Sequence, residues 1–442
     1  MPRPYVIWVK NMETKVTREI IRGGTVVLTE ELPHLLTASV GFWINFGSRA
    51  EEEAQYGASH FIEHMLFKGT ERMGPRDLAL AIESVGGSIG AAASEEKTYC
   101  NARVLPEHLP IAVSIISDMF GRSQFPDAEF AREKEVVLEE IKAHEDTPED
   151  LIYDLFLEDI YGREGLGHNP LGYEDTIKAM TRDDLFALYR RYYRPAHLIV
   201  SVAGNLGGMN IPELVARELE PCVEPACNIL GHKASISDFT PKIKLRKKDT
   251  GQVQFCLGAP GVPFDSPDRF IYMALDVILS GGMSSRLFQE VRERRGLVYD
   301  ISSSSSSYRD SGCFVVAAGT RPENLSEVVS VVVAELSKIK NGDIALEELE
   351  RVKEQLRVSM SMSFESVTSR MMKLASSEMY YGRNLTDEEI FEKIRSVTLD
   401  ELMRIANEAF QPDRLVFSAL GPFRKNKFKS IEKQIFEILN KI

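Results

Sequence analysis

The chain has 442 residues, of which 43 % are hydrophobic and 27 % charged, a composition that is typical of folded globular proteins and excludes disorder as the main state. At roughly 150 residues per domain, this length corresponds to about two or three domains. The 66 acidic and 53 basic side chains give a formal net charge of −13. Nucleic-acid binding by the surface as a whole is therefore excluded, because it requires net positive charge.

The apolar runs, the N-terminal segment and the cysteines of the sequence indicate the cellular compartment. No apolar run reaches the roughly 18 residues that a transmembrane helix requires, and the segment after Met1 lacks the basic and apolar regions of a signal peptide. The five cysteines include no CxxC pair, which argues against a disulfide framework or a cysteine-based zinc site. We therefore predict a cytoplasmic protein whose partners are neither nucleic acid nor membrane.

Hydrophobic periodicity predicts a mixture of strands and helices along the chain. Residues 35–46 alternate apolar and small side chains, as a half-buried strand does. Helices are predicted, mainly from apolar side chains at helical spacing, at 59–67, 76–85, 107–120 and 127–145. Further strands are predicted at 198–202 and 415–419, and the serine run Ser302–Ser307 is expected to form part of a polar strand pair.

The sequence contains an internal repeat. Residues 176–205 resemble residues 393–422 without a gap, at a constant offset of 217. Both segments contain a threonine that can cap a helix (Thr181 and Thr398), followed by an apolar pattern, a proline and a glycine. Such self-similarity indicates two related halves. We predict an α+β fold of two structurally similar halves, each a mainly antiparallel sheet with helices packed on one face.

Domain boundaries follow from the composition between the repeats. Residues 208–245 are rich in proline and glycine and run into a charged segment, as linkers do. We predict an N-terminal domain over residues 1–220, a linker over 221–245 and a homologous C-terminal domain over 246–442.

A candidate metal site lies in the first half, at His60-Phe61-Ile62-Glu63-His64. On a helix, residues four apart share a face, so both imidazoles can reach one ion. The order H-x-x-E-H is a known catalytic zinc motif, and such a site needs a third protein ligand. The glutamates of the helix at 127–145 are candidates, and most of them are expected to be solvated. The alternative is two surface histidines beside a salt-bridging glutamate.

The segments HFIEHMLFKGT (60–70) and EKEVVLEEI (133–141) together resemble the M16 family of pitrilysin-like (inverzincin) zinc peptidases, and more closely the mitochondrial processing peptidase and its bacterial counterparts. The resemblance implies that Glu140, 76 positions after His64, is the third ligand beside His60. It implies that Glu133 orients a ligand without binding the ion. One Zn²⁺ per chain is expected, although Mn²⁺ or Co²⁺ would fit the same ligands.

The activity that the resemblance implies is a zinc-dependent endopeptidase acting on short or unfolded peptides inside a closed chamber. Two imidazoles and one carboxylate leave the ion a net positive charge, so it lowers the pKa of a bound water and polarises the scissile carbonyl. Glu63 is the expected general base, taking a proton from the zinc-bound water and passing it to the leaving amine.

The second half is expected to contribute without binding metal. Residues 270–282, which correspond to the zinc helix, contain no histidine. The resemblance implies that Arg292 holds substrate carbonyls and that Tyr299 donates a hydrogen bond to the developing oxyanion. It further implies a homodimer in which this pair faces the zinc site of the partner subunit. The alternative is an ordinary basic helix followed by a tyrosine that opens a strand.

Peptide binding is expected at a strand edge within residues 87–103, which resemble the edge strand beside the zinc in this family. The small residues Gly90, Ala91, Ala92 and Ala93 would permit close approach of an extended peptide substrate. Because the family often has Asn-Ala-Tyr/Phe-Thr here, its side-chain contacts at this position are in doubt. The alternative is a small-residue strand or turn packed under another element.

A second functional interpretation is a non-catalytic or partner-dependent subunit of a processing-peptidase-like complex. Such subunits usually lose part of the metal motif. This chain retains the whole set, which favours the enzyme.

Overall fold

The computed structural model describes residues 15–222 and 240–442, which form two β-sheets with helices packed against them. Residues 223–239, most of the predicted linker, lie outside the described part of the chain. The three predicted ranges therefore stay predictions. Among the described residues, every helix is too short or too polar to cross a membrane.

Residues 15–222 contain six strands and eight α-helices. The strands are β1 (Lys15–Ile20), β2 (Val26–Glu31), β3 (Ala38–Ile44), β4 (Ser88–Ala93), β5 (Thr98–Val104) and β6 (Leu198–Gly204). The helices are α1 (Ala58–Leu66), α2 (Pro75–Glu83), α3 (Leu109–Arg122), α4 (Asp127–Glu145), α5 (Pro148–Tyr161), α6 (Glu174–Ala179), α7 (Arg182–Tyr192) and α8 (Ile211–Leu219).

Residues 240–442 contain five strands, seven α-helices and a π-helix at Phe288–Glu293. The strands are β7 (Lys242–Lys247), β8 (Val253–Pro260), β9 (Val298–Ser307), β10 (Gly312–Thr320) and β11 (Val416–Gly421). The helices are α9 (Arg269–Ser280), α10 (Leu325–Lys340), α11 (Leu346–Phe364), α12 (Val367–Tyr381), α13 (Asp387–Arg395), α14 (Leu399–Ala409) and α15 (Phe428–Leu439).

The two sheets share one topology. Their strand orders are β1-β2-β6-β3-β5-β4 and β7-β11-β8-β10-β9, which match strand for strand once β1 is set aside. In each sheet one pair is parallel, β2 with β6 and β7 with β11, and the other pairs are antiparallel. The predicted fold of two similar, mainly antiparallel halves is thus confirmed.

Local signals in the sequence placed several elements correctly. Thr181 and Thr398 each begin a helix with a reciprocal capping box, to Asp184 and Glu401 respectively. The helix predicted at 127–145 has the same bounds as α4. The serine run forms most of β9 and pairs with β10.

Each sheet packs its own half's helices on one face and receives one helix from the other half on the opposite face. Helix α5 packs on β8 and β11 of the second sheet, where Phe156 is fully buried. Helix α12 packs on β3 and β6 of the first sheet, where Met371 is fully buried. The two halves therefore exchange a helix, which the sequence analysis did not predict.

Two glycines make room for the exchanged helices. A Cβ added at Gly41 on β3 would lie 2.5 Å from Sδ of Met371, and one at Gly258 on β8 would lie 2.6 Å from Cζ of Phe156. The two glycines lie on strands that correspond in the order of the two sheets, β3 and β8. In each half, a glycine on this strand thus makes room for a large side chain of the exchanged helix.

Because α5 belongs to the first half but buries its apolar face on the second sheet, the two halves should unfold together. We expect Phe156→Ala to lower the free energy of unfolding by about 3–5 kcal/mol, the usual cost of emptying a buried phenylalanine site. Urea unfolding followed by circular dichroism should show one cooperative transition for the wild type and for the variant.

Phe436→Ala makes the same chemical change where the side chain is 59 % exposed, and it should shift the free energy of unfolding by only about 0.5 kcal/mol. Two separate transitions, with only one of them sensitive to Phe156→Ala, would contradict the coupling of the halves.

Candidate metal centre

Helix α1 carries the two histidines on the edge of its buried face. It begins after Gly57, whose φ of 94° is in the left-handed region that favours glycine. Its apolar side chains pack into the core of the first half: Phe61, Ile62, Met65 and Leu66. His60 and His64 lie one turn apart beside this apolar stripe and are only partly buried, with side chains 13 % and 16 % exposed.

Three donor atoms converge between α1 and α4. Nε2 of His60 lies 3.2 Å from Nε2 of His64, and each of these nitrogens lies 3.4 Å from Oε2 of Glu140. Tetrahedral zinc with ligand distances of about 2.0–2.1 Å separates its ligands by about 3.3 Å, so the triangle has the size that one ion requires. Within the described ranges, these three residues form the group of histidine, cysteine and acidic side chains that is close enough to hold a metal.

The protonation state of His60 suits a metal ligand. Burial, and then the nearby His64, lower the pKa of His60 to about 4, so its imidazole is neutral near neutral pH and Nε2 can offer a lone pair. The third donor, Glu140, has a side chain that is 45 % exposed, which leaves the centre open to solvent on that side.

Glu133 lies on α4, two helical turns before Glu140, and contacts His64. Its Oε2 lies 3.1 Å from Nδ1 of His64, and its Oε1 accepts a hydrogen bond of 2.8 Å from Lys68 Nζ. Burial opposes ionisation of Glu133, but the hydrogen bonds from Lys68 and His64 outweigh it and lower the pKa of the carboxyl. A proton on Nδ1 of His64 then leaves Nε2 free for a metal, as an orienting carboxylate should arrange.

Lys68 is a contributor that the sequence analysis missed. It follows His64 by four positions and lies just beyond the end of α1 at Leu66. The spacing was therefore an available signal.

Glu63 lies between the two histidines in sequence and is partly buried. Burial raises the pKa of its carboxyl, an effect that His64 and Lys68 oppose and that the charge of Glu140 reinforces. No side chain of the described residues hydrogen-bonds to it. Its carboxylate is thus not engaged elsewhere, and it interacts electrostatically with His64 and Glu140.

The small residues Gly90–Ala93 lie on β4, the outermost strand of the first sheet, which packs beside α1. In the described chain β4 pairs on one side only, with β5. A Cβ added at Gly90 would meet no atom within 4 Å, so this part of the strand faces open space.

Arg292 and Tyr299 are adjacent to each other and separate from the triangle of donors. Arg292 is on the π-helix and Tyr299 on β9, the outermost strand of the second sheet, with the guanidinium 5.5 Å from the centroid of the tyrosine ring. The Tyr299 side chain is 82 % exposed. Neither residue contacts His60, His64 or Glu140 within the described chain.

A repeated two-sheet fold with a three-donor centre in its first half agrees with the resemblance to the pitrilysin-like class of zinc peptidases. Two family profiles match the chain: one described as Insulinase (Peptidase family M16) over residues 26–173, and one described as Peptidase M16 inactive domain over residues 179–356. The chain belongs to the M16 peptidase family. The profile described as inactive covers the part that lacks the histidine pair.

Curated relatives carry the name of zinc protease without a characterised activity. The chain is 34 % identical over 414 residues to an uncharacterized zinc protease of Streptomyces coelicolor, covering 92 % of this chain and 90 % of that protein. It is 35 % identical over 398 residues to the uncharacterized zinc protease YmxG of Bacillus subtilis, covering 90 % and 96 %. The names of these relatives therefore support zinc binding and membership of a peptidase family.

Solved structures support the fold. A protease from Helicobacter pylori superposes with a TM-score of 0.86 at 23 % identity, covering 92 % of this chain and 99 % of that one. A peptidase M16 inactive domain from Pseudomonas fluorescens gives a TM-score of 0.84 at 22 % identity, covering 93 % and 98 %.

The role of Glu133 can be tested through metal affinity. We expect Glu133→Gln to weaken zinc binding by about 10- to 100-fold, because the amide no longer fixes the proton on Nδ1 of His64 as a carboxylate does. Competition with a chromophoric chelator measures this change. Glu139→Gln is the matched control on the same helix, since its side chain is 73 % exposed, and it should leave the affinity unchanged. Equal losses in both variants would contradict the orienting role.

Proposed function

We propose that the protein is a zinc-dependent endopeptidase that cleaves short or unfolded peptides in a closed chamber. The single observation that carries this proposal is the triangle formed by Nε2 of His60, Nε2 of His64 and Oε2 of Glu140. Three protein donors and an open side match the arrangement of a catalytic zinc, whereas structural zinc sites are closed by four protein ligands.

Zinc held by these residues would activate a water molecule and polarise the scissile carbonyl. Glu63 then acts as the general base, accepting a proton from water and passing it to the leaving amine. Because the side chain of Glu63 has no hydrogen-bond partner in the described chain, it is available for both transfers. Glu133 and Lys68 hold His64 in the required tautomer.

The substrate binds as an extra strand on β4. The outer edge of β4 offers backbone N–H and C=O groups beside α1, and pairing with them orients an extended peptide across the metal centre. The side chains along this edge are small, so the peptide backbone can approach closely; they belong to Gly90, Ala91, Ala92 and Ala93. Binding through the backbone requires an unfolded segment and gives little selectivity for side chains.

Arg292 and Tyr299 complete the site of a partner subunit. Both residues lie in the second half, Arg292 on the π-helix and Tyr299 on β9, and Tyr299 is exposed. In a homodimer of opposed subunits, the Tyr299 hydroxyl donates to the developing oxyanion and the Arg292 guanidinium binds substrate carbonyls. Each of the two sites is then composite.

The general base is tested by Glu63→Gln. The variant should retain about one zinc per chain and lose about 10²- to 10⁴-fold in turnover, the range that general acid–base catalysis supplies. The measurement is cleavage of a mixed pool of unstructured peptides by mass spectrometry, with the metal content determined in parallel.

The control is the wild-type protein under the same conditions. Near-normal cleavage by Glu63→Gln would contradict the assigned role of this residue. If the wild type holds zinc but cleaves nothing, the chain is a non-catalytic subunit or requires a different partner.

The composite site is tested by mixing two inactive variants. Glu63→Gln lacks the base but retains Tyr299, and Tyr299→Phe lacks the hydroxyl but retains the base. After subunits exchange at a 1:1 ratio, about half of the dimers are mixed, and each contains one complete site of two. We therefore expect recovery of about a quarter of the wild-type activity.

Co-incubation without subunit exchange provides the control, because each variant remains a homodimer with two defective sites. If mixing restores no activity although exchange is demonstrated by a tagged chain, Tyr299 does not serve the site of the partner subunit.

A further inference from the structure

The carboxylate of Glu51 is one of the most deeply buried charged groups in the described chain, and it touches the start of the metal helix. It is 1 % exposed, accepts a hydrogen bond of 2.8 Å from the Gly57 N–H on Oε2, and accepts one of 2.6 Å from the Ser59 N–H on Oε1. Ser59 immediately precedes His60. One carboxylate thus binds two backbone donors at the N-terminus of α1, where a negative charge is favoured by the helix dipole.

Residue 57 cannot provide this cap itself. It is a glycine with φ of 94°, and a Cβ at this position would lie 2.6 Å from the Leu171 carbonyl oxygen and 2.8 Å from Cδ1 of Ile177. A serine, threonine or aspartate at position 57, the usual way to cap a helix, would therefore clash. Glu51 takes over the capping function from outside the helix.

This arrangement is costly for the folded protein. No lysine or arginine of the described residues forms an ion pair with Glu51, and burial raises the pKa of its carboxyl to about 7 against the hydrogen bonds from Ser59 and Gly57. A simple structural cap does not require a buried carboxylate, which suggests a further role.

The two histidines differ in how their rings are held. His64 is oriented through Nδ1 by Glu133, whereas Nδ1 of His60 is buried and has no hydrogen-bond partner in the described chain. The position of the His60 ring therefore depends on its backbone, which is the first turn of α1. That turn is fixed by Glu51.

The segment that carries Glu51 is itself anchored to the turn after β4. The Ser48 N–H donates to the Ser94 carbonyl at 3.1 Å, and the Arg49 N–H donates to the Glu95 carbonyl at 2.8 Å. The Arg49 guanidinium, 6 % exposed, also binds Glu96 at 2.5 Å. The metal helix and the edge strand are thus fixed to one segment, residues 48–51.

We propose that Glu51 is a positioning residue for the metal centre. It fixes the first turn of α1, so that Nε2 of His60 can bind the same ion as His64 and Glu140. This inference rests on the proposed function, since it requires that the three donors bind zinc. Glu51 provides for His60, through the backbone, the orientation that Glu133 provides for His64 through the ring.

The test is Glu51→Gln in the full-length protein, with Glu53→Gln as the matched control because Glu53 is two positions away and exposed. In Glu51→Gln the amide nitrogen of the new side chain would face a backbone N–H, so one of the two hydrogen bonds is lost. We expect zinc affinity to fall by about 10-fold or more in Glu51→Gln and by less than about twofold in the control. Chelator competition gives both values.

The visible spectrum of the Co²⁺-loaded protein separates positioning from stability, because its d–d bands respond to ligand geometry. We expect these bands to change in Glu51→Gln and to match the wild type in Glu53→Gln. Unchanged affinity and bands in Glu51→Gln, even with a lower melting temperature, would overturn the proposal and leave Glu51 a structural cap.

If Glu51→Gln does not fold, Glu51→Asp decides the question. Its carboxylate keeps the charge, but its side chain is shorter and cannot reach both N–H groups. The zinc affinity should therefore fall again, and the Co²⁺ bands should change. Wild-type affinity in Glu51→Asp would overturn the proposal. A wild-type protein that binds no zinc would instead refute the proposed function, and this result is distinguishable because it appears without any substitution.

Discussion

The packing of α1 against α4 is the interaction on which the candidate site depends. The ring of Phe61 on α1 stacks on that of Phe130 on α4, with centroids 4.9 Å apart and planes inclined by 16°. This apolar contact fixes the distance between the two helices, and burial of these rings supplies stabilisation that the polar groups alone do not. Because the helices are fixed there, the imidazoles of α1 and a carboxylate of α4 meet at distances that suit one ion.

The same contact explains why polar groups converge at a partly buried position. When packing brings such groups together, like charges repel each other and unpaired polar groups lose their hydration. Each group must then form a hydrogen bond or ion pair, or change its protonation state. His60 becomes neutral, and Glu133 is held ionised by Lys68 and His64. At the candidate metal centre, hydrogen bonds offset the cost of burying these polar and charged groups. In the proposed function, a bound dication offsets it further.

The helix exchange joins the half that contains the candidate metal centre to the half that contains Arg292 and Tyr299. Helix α5 directly follows α4 in sequence, and its apolar side anchors on the second sheet, where Asp159 accepts hydrogen bonds from Arg246 and Ser418. The helix that carries Glu140 is thus connected to the half that carries Arg292 and Tyr299.

The sequence by itself determined the features that depend on local periodicity and capping. Helical spacing placed His60 and His64 on one face, the repeat at an offset of 217 predicted two similar halves, and the threonine caps marked two helix starts. These signals are local, since each depends on a few neighbouring residues. The resemblance to a known family then selected Glu140 among several glutamates that the helical pattern alone left equivalent.

Only the tertiary structure decided which groups meet across elements. It placed Lys68 on Glu133, Glu51 at the start of α1, and a helix of each half on the sheet of the other. Such contacts join segments far apart in the chain, and they are selected by the shape and burial of whole surfaces. A hydrophobic pattern states that a face is buried, but it does not state against which partner, and that choice is made when the two sheets and their helices pack together.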